Sequence, residues 1–147
     1  MNARFSLAVH ILCLLASEPE GRLTSEYLAV SIGANAVVLR RLLATLRRAG
    51  LVSSKSAGGG GWKLAHTADQ ITLDQVRQAV NEGESAKIHR NSPHPNCPIG
   101  KGVRQVLLGV YSAADAAIDR ELTGISVADI LSSVLISEQA TGAMAQS

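Results

Sequence analysis

Arg40, Arg41, Arg47 and Arg48 stand close together with no Asp or Glu between Ala36 and Ala49, and Lys55 and Lys63 follow soon after. A guanidinium can satisfy O6 and N7 of a guanine together or grip a phosphate, so this grouping points to a polyanionic partner, double-stranded DNA above all. A second chemistry centres on Cys97. Placed where a helix would begin, with Lys101 and Arg104 one and two turns on, its sulfur meets free N–H groups and positive potential that favour a thiolate, the form that oxidation or a mixed disulfide requires. The bland alternative is a structural cap. A third reading takes His89, His94 and Cys97 as ligands of a metal or small-molecule sensor, but their spacing matches no zinc pattern, and no metal site is expected. No nucleophile and base are paired, no carboxylates are matched and no cofactor fingerprint occurs, so the chain does not read as an enzyme and no cofactor is expected.

The elements that must position these groups can be read in order. Leu39, Leu42, Leu43 and Leu46 follow i, i+3, i+4, i+7 spacing, which predicts a helix from about Ala36 to Ala49 with one apolar stripe. Asn35 serves as its N-cap and Gly50 as its left-handed stop. The face opposite the stripe then carries Val37, Arg41, Ala44 and Arg48, with Arg40 and Arg47 on one flank. Solvated helices ordinarily mix signs, because like charges three or four residues apart repel. A merely basic helix packed on the rest of the domain is the competing interpretation.

What surrounds this helix favours a groove-binding element. Ser25 to about Ile32, capped by Thr24, reads as a preceding helix that turns at Gly33 and Ala34, which is the order of a helix-turn-helix unit. Leu51 to Ser56 and Trp62 to Ala65 read as two strands, joined by the tip Ala57 to Gly61. Lys55 and Lys63 flank that tip, and Trp62 could anchor its base or stack on sugar and phosphate. A phosphate loop fits poorly because Lys63 is not followed by Ser or Thr and no helix opens there. Upstream, Ala3 to Ala16 is apolar almost all round and should be central to the core, with Cys13 and His10 as ordinary packed or half-exposed residues.

Downstream, Thr72 and Gln75 form a capping box for a helix to about Asn81, with Leu73, Val76 and Val80 inward. Glu82 to Asn96 shows neither helical nor strand period and reads as a loop. Pro98 then occupies a first helical position, making Cys97 the N-cap. Ile99, Val103, Val106, Val110, Ala113 and Ala117 step by four and three, a heptad seam on a helix of about 25 residues and nearly 40 Å. So small a domain cannot cover that seam, and the simplest cover is the same helix in a second copy, giving a homodimer. Ser126 with Asp129 caps a last helix that packs Val127, Ile130, Leu131, Val134 and Leu135 inward, and the tail after Ser137 should fray.

The expected architecture is therefore mainly α with a small β-hairpin. A winged helix-turn-helix DNA-binding domain spans 1–82, a linking and sensor loop 83–97, a long dimerisation helix 98–123, and a C-terminal helix with frayed tail 124–147. Bulk properties agree. The chain has 147 residues, 46% of them hydrophobic, enough for a core, although aromatics make up only 3%. Net charge is +2, yet residues 1–66 hold eight Lys and Arg against three acids, while residues 67–147 hold six against nine. The first half is built to meet an anion. Two distant cysteines make no disulfide framework, which suits a reducing cytoplasm. Phe5 to Ala16 is too short to span a bilayer and no cleavage site follows it, so neither a membrane nor export is indicated.

The chain also resembles the Rrf-two type winged-helix repressors, which include the iron–sulfur cluster regulator and the nitric-oxide-sensing repressor of bacteria. The resemblance rests on Arg4-Phe5-Ser6-Leu7-Ala8-Val9, on Leu39-Arg40-Arg41-Leu42-Leu43 running into Leu46-Arg47-Arg48-Ala49-Gly50-Leu51-Val52, on Gly58-Gly59-Gly60-Gly61-Trp62-Lys63-Leu64 and on Ile71-Thr72-Leu73. It implies a dimeric transcription factor whose long helix crosses its partner and whose linking loop holds a sensor. Cluster-binding members carry three cysteines in that loop, whereas this chain has only Cys97, in Pro95-Asn96-Cys97-Pro98-Ile99-Gly100. One thiolate cannot hold an iron–sulfur cluster, so the likeness is to a cysteine-poor branch. Ser56 and Ala57 stand where an arginine commonly precedes the glycines, and Arg40 stands at an acidic base reader of the cluster regulator, so the operator is not carried over. The residues expected to face bases are Asn35, Val37, Arg40, Arg41 and Ala44; those expected at phosphates are Arg47, Arg48, Lys55 and Lys63. A protein-binding dimerisation module without DNA would explain the long helix but not the arginine face.

Overall fold

A computed structural model describes residues 2–21, 23–55, 60–81 and 92–146. The order is α1 (Ala3–Ser17), α2 (Ser25–Ile32), α3 (Ala36–Arg48), β1 (Val52–Lys55), β2 (Gly61–Leu64), α4 (Leu73–Asn81), α5 (Pro98–Thr123) and α6 (Val127–Ala145). The wing residues 56–59 and the stretch 82–91, which holds His89 and most of the expected sensor loop, lie outside the described residues.

The first domain is built around α1, as its all-round apolar character requires. Ala8, Ile11, Leu12 and Leu15 are buried and meet Leu28 of α2, the leucine stripe of α3, and Val76 and Val80 of α4 in one core. With so few aromatics, branched aliphatic side chains fill the space between helices, at roughly 1.5–3 kcal/mol for each side chain wholly removed from water.

Local signals set the breaks. Thr24 accepts the Tyr27 N–H at 3.1 Å to start α2. Gly33, at φ 72°, ends it in the left-handed region, and the Ala34 N–H reaches back to the Ala29 carbonyl at 3.0 Å. The two helices are bent by 116° at this break, the geometry of a helix-turn-helix. Gly50 repeats the device at the end of α3, with φ 75° and a 3.0 Å bond from the Leu51 N–H to the Leu46 carbonyl. Chain direction reverses there, so β1 starts beside the helix it follows.

β1 and β2 pair antiparallel with Val52 opposite Leu64 and Lys55 opposite Gly61, so β1 starts one residue after the expected Leu51 and β2 is shifted one residue earlier than expected, taking in Gly61 from the tip and ending at Leu64. Leu23 exchanges both backbone hydrogen bonds with Trp62, at 2.8 and 3.3 Å, tying the segment before α2 to the wing. Periodicity gave no hint of this third pairing.

Two expectations for the C-terminal half change. At Thr72 only half of the reciprocal box forms: its N–H donates to the Gln75 side chain at 3.2 Å, while its hydroxyl turns to Asp74. The Asp74 carboxylate competes locally for that hydroxyl, and the same segment is tied to the turn before α6, the Leu73 N–H donating to the Ile125 carbonyl and the Val127 N–H to the Ile71 carbonyl, both at 2.9 Å. For α6, the Ser126–Asp129 box forms in full and Val127 is buried, but Val134 and Leu135 are exposed rather than inward. α6 packs on α1, where Ile130, Leu131 and Val134 line a cavity with Val9, Cys13 and Leu14, yet this contact leaves Val134 and Leu135 about half exposed. The helix also continues to Ala145 instead of fraying after Ser137.

α5 runs 26 residues, roughly 39 Å at 1.5 Å per residue. One flank packs on α4, and Leu122 is buried while Leu107 and Ile118 are half-buried. Along the predicted seam, Ile99 is 75% exposed, Val106 66% and Val110 55%. No single helix among the described residues is long and apolar enough to cross a membrane.

Candidate nucleic-acid interface

The stripe Leu39, Leu42, Leu43 and Leu46 is wholly or almost wholly buried, and this fixes the rotation of α3. Its other face must then look outward, and Val37, Arg40, Arg41, Arg47 and Arg48 are exposed while Ala44 is half-buried between them. No side chain among the described residues engages the guanidinium of Arg40 or Arg41. The competing picture, in which basic groups are tucked against the body, does not hold for these two.

Arg47 and Arg48 behave differently from the expectation that both simply await phosphate. Arg47 donates to the Ser54 hydroxyl at 3.2 Å and lies over the Trp62 ring, 5.8 Å from its centroid. It therefore braces both wing strands against the recognition helix. Trp62 is half-buried against the core, so it acts as the anchor of the wing and not as a free stacking platform. Arg48 donates to the Thr45 hydroxyl at 3.3 Å, and that hydroxyl donates to the Arg41 carbonyl at 3.1 Å. A guanidinium has five donors, so each of these arginines keeps N–H groups for an anion.

Asn35 is an N-cap in fact: its side-chain oxygen accepts the Val37 and Val38 N–H groups at 2.9 and 3.3 Å. Only its amide nitrogen is left for a base or phosphate. Lys55 and Lys63 are exposed on adjacent strands, with Ser53, Ser54 and Gly61 around them. Val38, half exposed in the first turn of α3, and Tyr27, half exposed in the first turn of α2, are apolar surface that periodicity did not single out.

At the other candidate site, Cys97 caps α5, its sulfur accepting the Gly100 N–H at 3.2 Å. A Cβ at Gly100 would lie 2.5 Å from Pro93 Cβ, so a larger residue there must displace Pro93. His94 accepts the Asn96 N–H at 3.2 Å, an ordinary turn contact. Among the described residues no three His, Cys, Asp or Glu side chains come together to hold a metal. Cys13 lies half-buried on α1, where burial pushes its thiol pKa up. With two cysteines in the whole chain, a three-cysteine cluster set cannot be assembled, so an iron–sulfur cluster of that kind does not fit.

A helix-turn-helix with an exposed arginine face, a braced wing and a long trailing helix defines a winged-helix transcriptional regulator. The family profile described as Rrf2, iron-dependent transcriptional regulator, matches residues 1–133. The chain is 31% identical over 131 residues to YwnA of Bacillus subtilis, named as an HTH-type transcriptional regulator, covering 89% of this chain and 96% of that one. A solved structure described as a DNA-binding protein superposes with TM-score 0.70 at 29% identity, over 88% of this chain and 99% of the other. The fold is also that of IscR from T. potens, with TM-score 0.67 at 24% identity, over 91% of this chain and 87% of that one. The chain belongs to the Rrf2 family of transcriptional regulators.

Proposed function

We propose that this regulator is a cytoplasmic homodimeric repressor that sets two copies of α3 in successive major grooves of a near-palindromic operator. Asn35, Val37, Arg40, Arg41 and Ala44 face the bases, and Lys55 and Lys63 reach phosphates, joined by the spare donors of Arg47 and Arg48. The observation that carries this reading is the outward, unengaged pair Arg40 and Arg41 on a helix whose rotation is fixed by its buried leucines. The uncovered seam of α5 supports the second copy, which would space half-sites by about one helical turn or a multiple. Repression follows from a bulky dimer lying across promoter DNA.

The reading extends to Cys97. A peroxide would lose its O–O bond to the attacking sulfur, leaving a sulfenic acid and releasing water or an alcohol. That oxygen would displace the Gly100 N–H from the cap, loosening the first turn of α5.

The test begins with DNA fragments retained by the purified protein. Affinity for the selected duplex should fall steeply with salt, and Arg41→Ala should cost roughly 1–3 kcal/mol and relax preference at one position. Salt-independent binding or an unchanged Arg41→Ala profile would refute the base-reading assignment. For the thiol, mass spectrometry with operator titrations before and after mild peroxide decides: modification of Cys97 without a change in binding ends the redox role.

A further inference from the structure

Arg77, on α4, is buried at 8% exposure, a costly place for a cation. It bonds two carboxylates of α5, Asp115 at 2.6 Å through one terminal nitrogen and Asp119 at 2.5 Å through the other. Its Nε is buried with no partner among the described residues. A buried cation with an orphaned N–H, paired to carboxylates that are themselves 54% and 34% exposed, is a poor device for stability, because the cation's desolvation is offset only by partners that water screens. What it supplies is orientation. Two carboxylates one turn apart can meet both arms of a planar guanidinium only at a single rotation and axial register of the helix that carries them.

A second attachment lies at the end of the same helix, where the Leu73–Ile125 and Ile71–Val127 backbone bonds join α4 to the turn before α6. Two separated attachments define a line, so α5 leaves the DNA-binding domain as a fixed lever. At about 100° per residue, Asp115 and Asp119 each stand roughly 160° around α5 from Ala117 of the seam. The clamp therefore holds the back of α5 and turns its apolar seam away from α4.

The geometry points to Arg77 as a positioning residue that sets the angle between the recognition helix and the dimer seam, and thereby the half-site spacing that the regulator accepts. This rests on the dimeric DNA-binding reading above. Without the clamp the domain could roll about α5, and a wider range of spacings would be tolerated.

The test uses the full chain and a selected operator with its spacer lengthened or shortened by one and two base pairs, beside a duplex carrying one half-site. Wild type should lose roughly tenfold or more in affinity per base pair of spacer error, in the range of an ordinary mismatch. Arg77→Met should flatten that profile to within about threefold while binding the single half-site as wild type does. Arg77→Lys, which keeps the charge but not the fork, should flatten it partly. Where Arg77→Met does not fold, as judged by circular dichroism, the double variant Asp115→Asn with Asp119→Asn carries the same expectation from the more exposed side. A folded variant with a profile as steep as wild type overturns the inference, as does an equal loss on every duplex including the half-site. Wild type that binds no duplex at all refutes the regulator reading itself, and this inference with it.

Discussion

Arg41 and Arg47 sit on the same helix six residues apart, yet the structure separates their roles, and a pair of alanine substitutions measures the separation. Arg47→Ala removes a hydrogen bond to Ser54 and a cation–π contact with Trp62. An exposed hydrogen bond contributes about 0.5–1.5 kcal/mol and a surface cation–π contact about 0.5–1, less a few tenths regained from the better helix propensity of alanine. The free protein should therefore lose about 1–2 kcal/mol, or roughly 2–8 °C in melting temperature for a chain of this size. Arg41→Ala breaks no contact with a described side chain and should leave the free protein within about 0.5 kcal/mol of wild type, with its effect confined to DNA. Urea unfolding without DNA and fluorescence anisotropy on a selected operator across salt concentrations give the two readouts. If Arg47→Ala unfolds like wild type and merely lowers the salt slope by about one, the guanidinium is an ordinary phosphate ligand and the bracing argument is wrong.

Gly50→Ala should destabilise by about 1–2 kcal/mol through backbone strain alone, because φ is 75° and nothing lies within 4 Å of the new Cβ; unfolding midpoints check this, and a neutral result would mean the turn relaxes freely. The Asp129 carboxyl is held below its usual pKa, first by the Ser126 backbone N–H and then by its hydroxyl. Its stabilisation is thus complete above the ordinary aspartate pKa of about 3.9 and lost as pH falls through the lowered folded value, so the melting difference between wild type and Asp129→Asn should close in acid. A gap that persists at about pH 2 would contradict the assignment. Burial raises the Cys13 thiol, so limiting iodoacetamide near neutral pH should label Cys97 first, and peptide mass spectrometry showing Cys13 labelled as fast would oppose this.

The parts legible in the residues were those whose causes are local. Asn35, Thr24 and Ser126 announce helix starts because a short polar side chain reaches N–H groups two or three residues on. Gly33 and Gly50 announce stops because only glycine enters the left-handed region cheaply. The leucine stripe of α3 sets which side its arginines face before any tertiary contact is known.

Contacts between distant residues left no such mark. The Arg47–Trp62 brace, the Leu23–Trp62 pairing and the Arg77 clamp join residues up to 42 apart, and nothing in the spacing of any one element says which charge will meet which. The same holds for α6, whose apolar residues were readable while their burial was not: Val134 and Leu135 have the character of core residues, but the packing of α6 on α1 leaves them about half exposed. Sequence alone determined the winged helix-turn-helix, its arginine face and the long apolar-seamed helix, since periodicity and caps act over a few residues. Only the tertiary structure decided which arginines are left unengaged, which one braces the wing and which one meets the carboxylates of α5, because a cation's role depends on what folding brings beside it.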